Sequence, residues 1–173
     1  ITSGDWNADG KTDLVAGADV GILFDYENQG DGKEPNWHPI HNPAFDSNQR
    51  QRSVPTLVDL DGDGDLDLVV GRHSGRLELI LNQGTPQKPD WKIADLFYAQ
   101  IDVGGDSFPA FYDLDRDGDL DLFVGNNKGR IIFYLNEGTA QKARFVLKST
   151  RFSQITVQRA AAPAFFPRKQ DSN

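Results

Sequence analysis

The stretch Asp59-Leu60-Asp61-Gly62-Asp63-Gly64-Asp65-Leu66-Asp67, followed at once by Leu68-Val69-Val70, decides how this chain folds. Five aspartates alternate with small or apolar residues over nine positions, and an apolar run rich in valine comes next. Asp-Gly pairs favour tight turns, and the run that follows favours a strand. The stretch is therefore predicted to be an acidic loop that leads into a buried strand.

The same acidic stretch occurs three times at a fixed spacing. Asp5, Asp59 and Asp113 open the three copies and are 54 residues apart in both intervals. The same offset aligns further glycines, asparagines and aromatic residues: Gly17, Gly71 and Gly125; Gly21, Gly75 and Gly129; Asn28, Asn82 and Asn136; Gly30, Gly84 and Gly138; Trp37, Trp91 and Phe145. A fixed period without a single insertion indicates a repeat architecture.

Each repeat has the pattern of four short strands. In the third repeat, residues 109–114, 122–124, 130–135 and 144–147 are predicted strands because they are rich in β-branched and aromatic residues and turn residues separate them. No segment of ten residues has helical periodicity. Four strands in about 50 residues, apolar on both faces, are typical of a β-propeller blade. The predicted fold class is all-β, with about three blades of four antiparallel strands.

The blades are predicted at residues 1–54 (without a first strand), 55–108 and 109–162. Residues 163–173 are predicted to be the opening strand of a fourth repeat with a divergent tail. The chain begins at Ile1 without a methionine, as a processed product or a fragment does. Three blades are too few to close a propeller, so another copy or a missing remainder of the chain is predicted to complete the ring. Residues 163–166 are then predicted to pair against the sheet that contains residues 14–16, in another copy or in the missing remainder of a longer chain.

The acidic loops have the composition of calcium sites. Positions 1, 3, 5 and 9 offer side-chain oxygens, position 6 is glycine, and position 7 offers a backbone carbonyl. Calcium takes six to eight oxygens in flexible geometry, and the lack of His and Cys disfavours zinc and softer metals. About three calcium ions per chain are predicted. The candidate ligands are Asp5, Asn7, Asp9, Lys11 and Asp13 in loop one; Asp59, Asp61, Asp63, Asp65 and Asp67 in loop two; and Asp113, Asp115, Asp117, Asp119 and Asp121 in loop three.

Two other interpretations of these loops fit less well. An EF-hand needs a glutamate at position 12 and a helix after the loop, whereas Ala16, Val70 and Val124 occupy that position and strand residues follow. Ordinary hairpin turns would explain one such loop, but not three with the same ligand positions. Loop one departs furthest from the pattern, because Asn7 replaces a carboxylate and Lys11 adds a positive charge. Repeat one also has Asp25 and Glu27 at apolar positions of the other repeats, so that face is expected to be more exposed or packed differently.

Composition narrows the classes of function. The formal net charge of −8 argues against nucleic acid as a partner, because such binding depends on Lys and Arg at phosphates. Thirteen of the 26 acidic residues fall within the three loops, so the acidity belongs to the predicted metal sites. Cysteine is absent, which excludes disulfides and thiolate metal sites. The apolar runs are too short to span a bilayer.

The Asp-x-Asp-x-Asp-Gly-x-x-Asp-Leu loop between two strands resembles the FG-GAP/VCBS repeat family, and the resemblance extends to about residue 166. It implies an integrin-α-like propeller, usually of seven blades, with calcium in the loop between the first two strands of a blade. Such repeats occur in integrins and in bacterial secreted or surface proteins. The resemblance implies no single ligand, because the family includes adhesion modules, lectins and carbohydrate-active enzymes.

The expected function is therefore a calcium-binding, extracellular or cell-surface module for protein or glycan recognition. The alternatives are a propeller part of a polysaccharide lyase or hydrolase, and a purely structural assembly unit. No acid, base or arginine set stands apart from the repeat, so an enzyme is not expected. The recurrent aromatics Trp37, Trp91 and Phe145 are expected to pack between blades, and His38, His41 and His73 to be solvated. The turns at 18–20, 72–74 and 126–128 vary between repeats and are candidate ligand positions.

Overall fold

Each repeat folds into its own four-stranded antiparallel sheet, because turn sequences separate four β-forming segments. The computed structural model describes residues 1–46 and 52–165. Within them the strands follow chain order across each sheet, so every strand pairs with its sequence neighbours. The predicted all-β class is confirmed.

The strand bounds in the described residues are as follows. Sheet one consists of β1 (Thr2–Gly4), β2 (Asp13–Gly17), β3 (Leu23–Asn28) and β4 (Trp37–Ile40). Sheet two consists of β5 (Ser53–Val58), β6 (Asp67–Arg72), β7 (Leu77–Asn82) and β8 (Trp91–Asp95). Sheet three consists of β9 (Ser107–Tyr112), β10 (Asp121–Asn126), β11 (Ile131–Asn136) and β12 (Phe145–Ser149). A single turn of 3-10 helix follows each sheet, at Pro43–Phe45, Tyr98–Gln100 and Phe152–Gln154. No helix in this part of the chain is long and apolar enough to cross a membrane.

A tight turn that ends on glycine joins the second and third strands of each sheet. Gly75 has a φ of 94°, and its N–H donates to the carbonyl oxygen of Arg72 at 3.0 Å. Residues with a β-carbon rarely adopt this left-handed conformation, whereas glycine does so without steric cost. The equivalent turns end on Gly21 and Gly129, which explains why all three repeats keep glycine there.

Consecutive sheets come into close contact where the first strand of one sheet begins beside the second strand of the preceding sheet. A β-carbon on Gly71 would lie 2.0 Å from the carbonyl oxygen of Ser107, so only glycine fits. The Ser107 hydroxyl accepts from the N–H of Arg72 at 2.8 Å and donates to the carbonyl of Arg76 at 2.7 Å. These contacts fix the position of sheet three on sheet two.

Two apolar cores fill the spaces between the sheets. In β6, Leu68 and Val70 pack towards sheet one and Val69 packs towards sheet three, because alternate strand residues point to opposite faces. All six residues of β6 are buried. Sheet two is therefore buried on both faces, as predicted for a blade. Three sheets packed in this way are consistent with successive propeller blades, and within the described residues they do not close a ring.

The outer face of sheet three is covered by residues that follow the sheet in sequence. Phe123 points away from sheet two and is nevertheless fully buried. Its ring centroid lies 4.7 Å from that of Phe133, 5.1 Å from that of Phe152 and 4.6 Å from that of Phe165. An aromatic cluster thus takes the place that a next sheet would occupy.

The prediction that the first blade lacks its first strand is wrong. Residues Thr2–Gly4 form β1, which pairs antiparallel with β2. The strand is short, with three residues where β5 and β9 have six each. Three residues at the start of the sequence are too few to show strand periodicity, which is why the pattern did not reveal them.

Residues 163–166 are predicted to pair with the sheet at residues 14–16, but β1 already pairs with that edge of β2. Leu14 and Val15 lie opposite Ser3 and Thr2 of β1. The C-terminal segment instead packs on its own sheet three, where the N–H of Ala161 donates to the carbonyl of Asn126 at 3.0 Å. Phe166 and the tail at 167–173 lie outside the described residues. The first strands of sheets two and three also begin at 53 and 107, two residues before the predicted boundaries at 55 and 109.

The unusual face of repeat one is packed, although it carries a carboxyl group. Asp25, which stands where Leu79 stands in repeat two, is 4% exposed. Burial raises the pKa of its carboxyl to about 6. Of the recurrent aromatics, Trp91 is buried and Phe145 packs against the core between sheets two and three, as predicted. Trp37 is 37% exposed, because no sheet precedes sheet one in the described residues.

Candidate metal centres

The three acidic loops connect the first two strands of each sheet and so lie at one end of the sheets. Each turns sharply at position 6, where Gly10, Gly64 and Gly118 have φ values of 85°, 92° and 94°. The turn brings the earlier aspartates of a loop back towards one another. This is the loop shape that the sequence predicted.

In loops two and three, the carboxylates at positions 1, 3 and 5 converge. One oxygen from each of Asp59, Asp61 and Asp63 lies within 4.8 Å of the other two, and Asp113, Asp115 and Asp117 form an equivalent triad. Within the described residues, these are the two groups of acidic or histidine side chains that meet this criterion. Three carboxylates at such distances repel one another unless a cation or protons neutralise them.

Loop two also contains buried carboxylate oxygens that lack a hydrogen-bond donor. Oδ1 of Asp61 and Oδ1 of Asp65 are buried without a partner, and Asp65 as a whole is 3% exposed. Burying an acceptor without a partner costs about 1–3 kcal/mol, and more when it is charged. A bound cation would compensate both oxygens.

The side chain at position 7 belongs to the same acidic environment, although the sequence assigned only a backbone carbonyl to it. Burial, and then the neighbouring Asp63, raises the pKa of Asp65 to about 6. Burial and Asp117 likewise raise the pKa of Asp119. The sequence signal was available, since both loops have aspartate at this position.

The carboxylates at position 9, which the sequence also predicts as ligands, accept hydrogen bonds from backbone amides. Asp67 is fully buried, its Oδ1 accepts from the N–H of Asn82 at 2.9 Å, and its Oδ2 accepts from the N–H of Leu60 at 3.1 Å. Asp121 accepts equivalent bonds from Asn136 at 2.8 Å and Leu114 at 3.0 Å. These residues open the second strand, so their side chains point into the sheet, and they lie outside the acidic triads.

The asparagine whose N–H donates to the position-9 carboxylate recurs in all three repeats, and its side chain extends this hydrogen-bond network. In the sequence analysis it serves only to align the repeats. Oδ1 of Asn82 accepts from the N–H groups of Gly84 at 3.1 Å and Asp90 at 2.8 Å, which shapes the turn between β7 and β8. Asn28 and Asn136 make the same pair of bonds in their sheets. The acidic loop and the neighbouring turn are therefore held by one network in each repeat.

Loop one has a different arrangement. Nζ of Lys11 lies 3.2 Å from Oδ2 of Asp9, and Nδ2 of Asn7 donates to Oε1 of Glu27 at 3.0 Å. Asp13 is fully buried at position 9, and its Oδ1 accepts from the N–H of Asn28 at 2.8 Å. Its Oδ2 is buried without a partner, as Oδ1 of Asp61 and Oδ1 of Asp65 are in loop two. The pKa of Asp13 is raised by burial, against the opposing effect of the amides of Asn28 and Trp6. Asp5, at position 1, accepts from the N–H of Gly10 at 2.9 Å.

The opposite end of the sheets carries a charged network, which joins two of the turns that vary between repeats to the residues that directly precede β5 and β9. Nε of Arg52 lies 2.9 Å from Oδ1 of Asp19, and Nδ1 of His73 lies 2.7 Å from Oδ1 of Asp106. Nη1 of Arg52 also lies 3.4 Å from Oδ2 of Asp106, which links the two pairs. The side chain of His73 is 63% exposed, so it is both solvated, as expected, and paired.

The comparisons with known proteins agree with this architecture. No curated protein matches the sequence. The sequence pattern of the FG-GAP-like repeat matches twice, at residues 5–70 and 59–124. Each match begins at one acidic loop and ends in the strand that follows the next acidic loop. Because the two matches together cover more than half of the chain, the protein belongs to the FG-GAP-like repeat family.

Proposed function

We propose that this protein is a calcium-binding recognition module, in which loops two and three each hold one calcium ion. The observation that carries the proposal is the pair of buried, unpartnered oxygens on Asp61 and Asp65 beside a triad of converging carboxylates. Positions 1, 3 and 5 would supply side-chain oxygens to the ion. Position 7 would add a backbone or carboxylate oxygen.

The donor set favours calcium over other divalent ions. All the candidate ligands in these loops are oxygens, which excludes the thiolate and imidazole ligands that zinc and copper prefer. The loops supply several carboxylates each, whereas magnesium is usually held by one or two carboxylates and several waters. Equilibrium dialysis against calcium, magnesium and zinc tests this choice: calcium should be retained best. Equal retention of zinc would contradict it.

The bound ions would stabilise the sheets rather than take part in chemistry. A cation that binds only the folded state stabilises it by mass action, and it removes the repulsion among the loop carboxylates. Calcium modules of this kind outside the cell often bind at about 10⁻⁴–10⁻³ M. We therefore place the protein outside the cell or at its surface, where calcium serves as a staple in a chain without cysteine.

We assign the recognition of a protein or glycan to the end of the sheets opposite the acidic loops. The turns there differ between the repeats, and two of them carry Asp19 and His73. These pair with Arg52 and Asp106, which directly precede β5 and β9, to form a charged cluster. Both oxygens of Asp106 are engaged by Arg52 and His73, which favours a structured binding surface over a free acid or base. The module is accordingly proposed to bind and not to catalyse.

A binding screen tests this assignment. The intact protein is screened on glycan and protein arrays with calcium and with chelator, beside the variants His73→Ala and Lys88→Ala. The parent and the Lys88→Ala variant should bind a ligand that the His73→Ala variant does not bind. Depolymerisation of an acidic polysaccharide by the parent would instead support the enzyme alternative. Binding that is insensitive to His73→Ala would place the surface elsewhere.

A further inference from the structure

Loop one differs from the other two loops at two of the positions that surround the proposed ion. Position 3 is Asn7 where the other loops have Asp61 and Asp115, and position 7 is Lys11 where they have Asp65 and Asp119. Over positions 1, 3, 5 and 7 the formal charge is therefore −1 in loop one and −4 in loops two and three. The attraction for a divalent cation is correspondingly weaker.

The lysine is directed into the loop. Nζ of Lys11 lies 3.2 Å from Oδ2 of Asp9, and the backbone N–H of Lys11 donates to Oδ1 of Asp9 at 2.9 Å. The backbone bond also occurs in loops two and three, so the contact that is specific to loop one is the one between the ammonium group and Oδ2 of Asp9. An ion that approached Asp9 would have to displace an ammonium group of like charge.

The asparagine is also held in place by a residue that is specific to repeat one. Glu27 stands where Leu81 and Leu135 stand in the other repeats. Its Oε1 accepts from Nδ2 of Asn7 at 3.0 Å, while Oδ1 of Asn7 accepts from the N–H of Asp9 at 3.1 Å. If the amide of Asn7 turned over, its Oδ1 would face Oε1 of Glu27, and the two acceptor oxygens would repel each other. The orientation of the amide is therefore fixed.

The geometry points to loop one as a metal-free loop, in which the ammonium group of Lys11 replaces the calcium ion. On this inference the chain binds two calcium ions, one fewer than the sequence analysis predicts. This inference rests on the proposed function for loops two and three. It also implies that sheet one keeps its acidic loop folded when calcium is removed.

Counting bound ions by calorimetric titration of the intact protein with calcium tests the inference. The parent should bind two ions. Asp9→Asn should still bind two, whereas the matched change Asp63→Asn in loop two should reduce the count to one. The double variant Asn7→Asp with Lys11→Asp restores the pattern of the other loops and should bind one ion more than the parent. Lys128→Asp, which makes the same charge change as Lys11→Asp but at the end of sheet three opposite the acidic loops, should leave the count at two.

The titration distinguishes a failure of the proposed function from a failure of the inference about loop one. A parent that binds no ion contradicts the proposed function, and the gain of one ion in the double variant would still support the inference for loop one. A parent that binds three ions, of which Asp9→Asn removes one, overturns the inference and leaves the proposed function intact. An unchanged count in the folded double variant also overturns it. If the double variant does not fold, the comparison of Asp9→Asn with Asp63→Asn decides.

Discussion

Oδ1 of Asp67 accepts a hydrogen bond from the backbone N–H of Asn82 at 2.9 Å, and this bond joins the acidic loop of sheet two to the turn between β7 and β8. The equivalent bond occurs between Asp13 and Asn28 and between Asp121 and Asn136, at 2.8 Å in both cases. Asp67 accepts from two buried amides, Asn82 and Leu60, and Asp121 accepts the equivalent pair of bonds. The position-9 aspartate is therefore a structural brace in sheets two and three, beside the triad that could hold an ion.

The brace predicts a large stability loss when it is removed. Asp67→Ala would leave the buried amides of Leu60 and Asn82 without an acceptor, at a cost of about 1–3 kcal/mol each. Urea denaturation in chelator should show this loss, because no metal contributes there. Asp90→Ala, which removes only an exposed pair with Lys92, is the control and should change stability by less than about 1 kcal/mol. Equal effects of the two variants would show that Asp67 is not a brace.

Calcium should raise the melting temperature through loops two and three. Each occupied site stabilises the fold by about 2.7 kcal/mol when free calcium is 100 times the dissociation constant. A change of 1 kcal/mol shifts the melting temperature by about 2–4 °C at this chain length. Asp63→Ala should abolish about half of the calcium-dependent increase, because it removes one site of two. Asp9→Ala should leave the increase intact, and a comparable loss in both variants would contradict the distinction between the loops.

Acidity should stabilise the metal-free protein. Burial raises the pKa of Asp65 to about 6 and that of Asp67 to about 7, from an ordinary value of 3.8. Between about pH 4 and pH 7 the folded state therefore binds more protons than the unfolded state, so stability in chelator falls as the pH rises. Asp65→Asn should flatten this profile. Denaturation in chelator that shows stability rising with pH across this window would rule the interpretation out.

Calcium should oppose this trend, because protons compete with the ion for Asp65 and for the carboxylates of the triad. The stabilisation by calcium should be greatest above about pH 7 and should decline as the pH falls towards about 4. The difference between the two profiles, measured on one protein preparation, isolates the contribution of the ion.

The contact between sheets two and three should not tolerate a larger residue at Gly71. A β-carbon there would lie 2.0 Å from the carbonyl oxygen of Ser107, so the backbones must separate. We expect Gly71→Ala to cost about 3 kcal/mol, as overpacking in a tight core does. Gly118→Ala is the control: its φ of 94° is unfavourable for alanine, but no atom lies near its β-carbon, and the cost should be about 1–2 kcal/mol. A smaller loss for Gly71→Ala than for Gly118→Ala, measured by urea denaturation, would contradict the packing.

The sequence predicted the features that repeat. Three acidic loops, four strands per repeat and the turn glycines recur at one spacing, and each has a local physical cause that residue types reveal. The strands that the pattern placed in repeat three overlap β9 to β12. The triads in loops two and three likewise follow from the alternation of aspartates along one loop.

The features that the sequence did not reveal depend on side-chain direction or on contacts between repeats. Asp67 occupies a ligand position by spacing, but its hydrogen bonds to the amides of Asn82 and Leu60 depend on how the loop folds back onto the sheet. Asp25 is charged by residue type, yet the packing of sheet one on sheet two buries it. The partner of Asn7 is Glu27, which lies 20 residues away in the sequence and is adjacent only after β3 has folded.

The most direct test of the account is a crystal structure of the protein soaked in calcium, with anomalous scattering used to locate the ions. We predict one ion within about 2.3–2.6 Å of oxygens from Asp59, Asp61 and Asp63, and a second in the equivalent place in loop three. Loop one should show Lys11 beside Asp9 and no anomalous peak. Absence of an ion from both loops two and three at millimolar calcium would contradict the account.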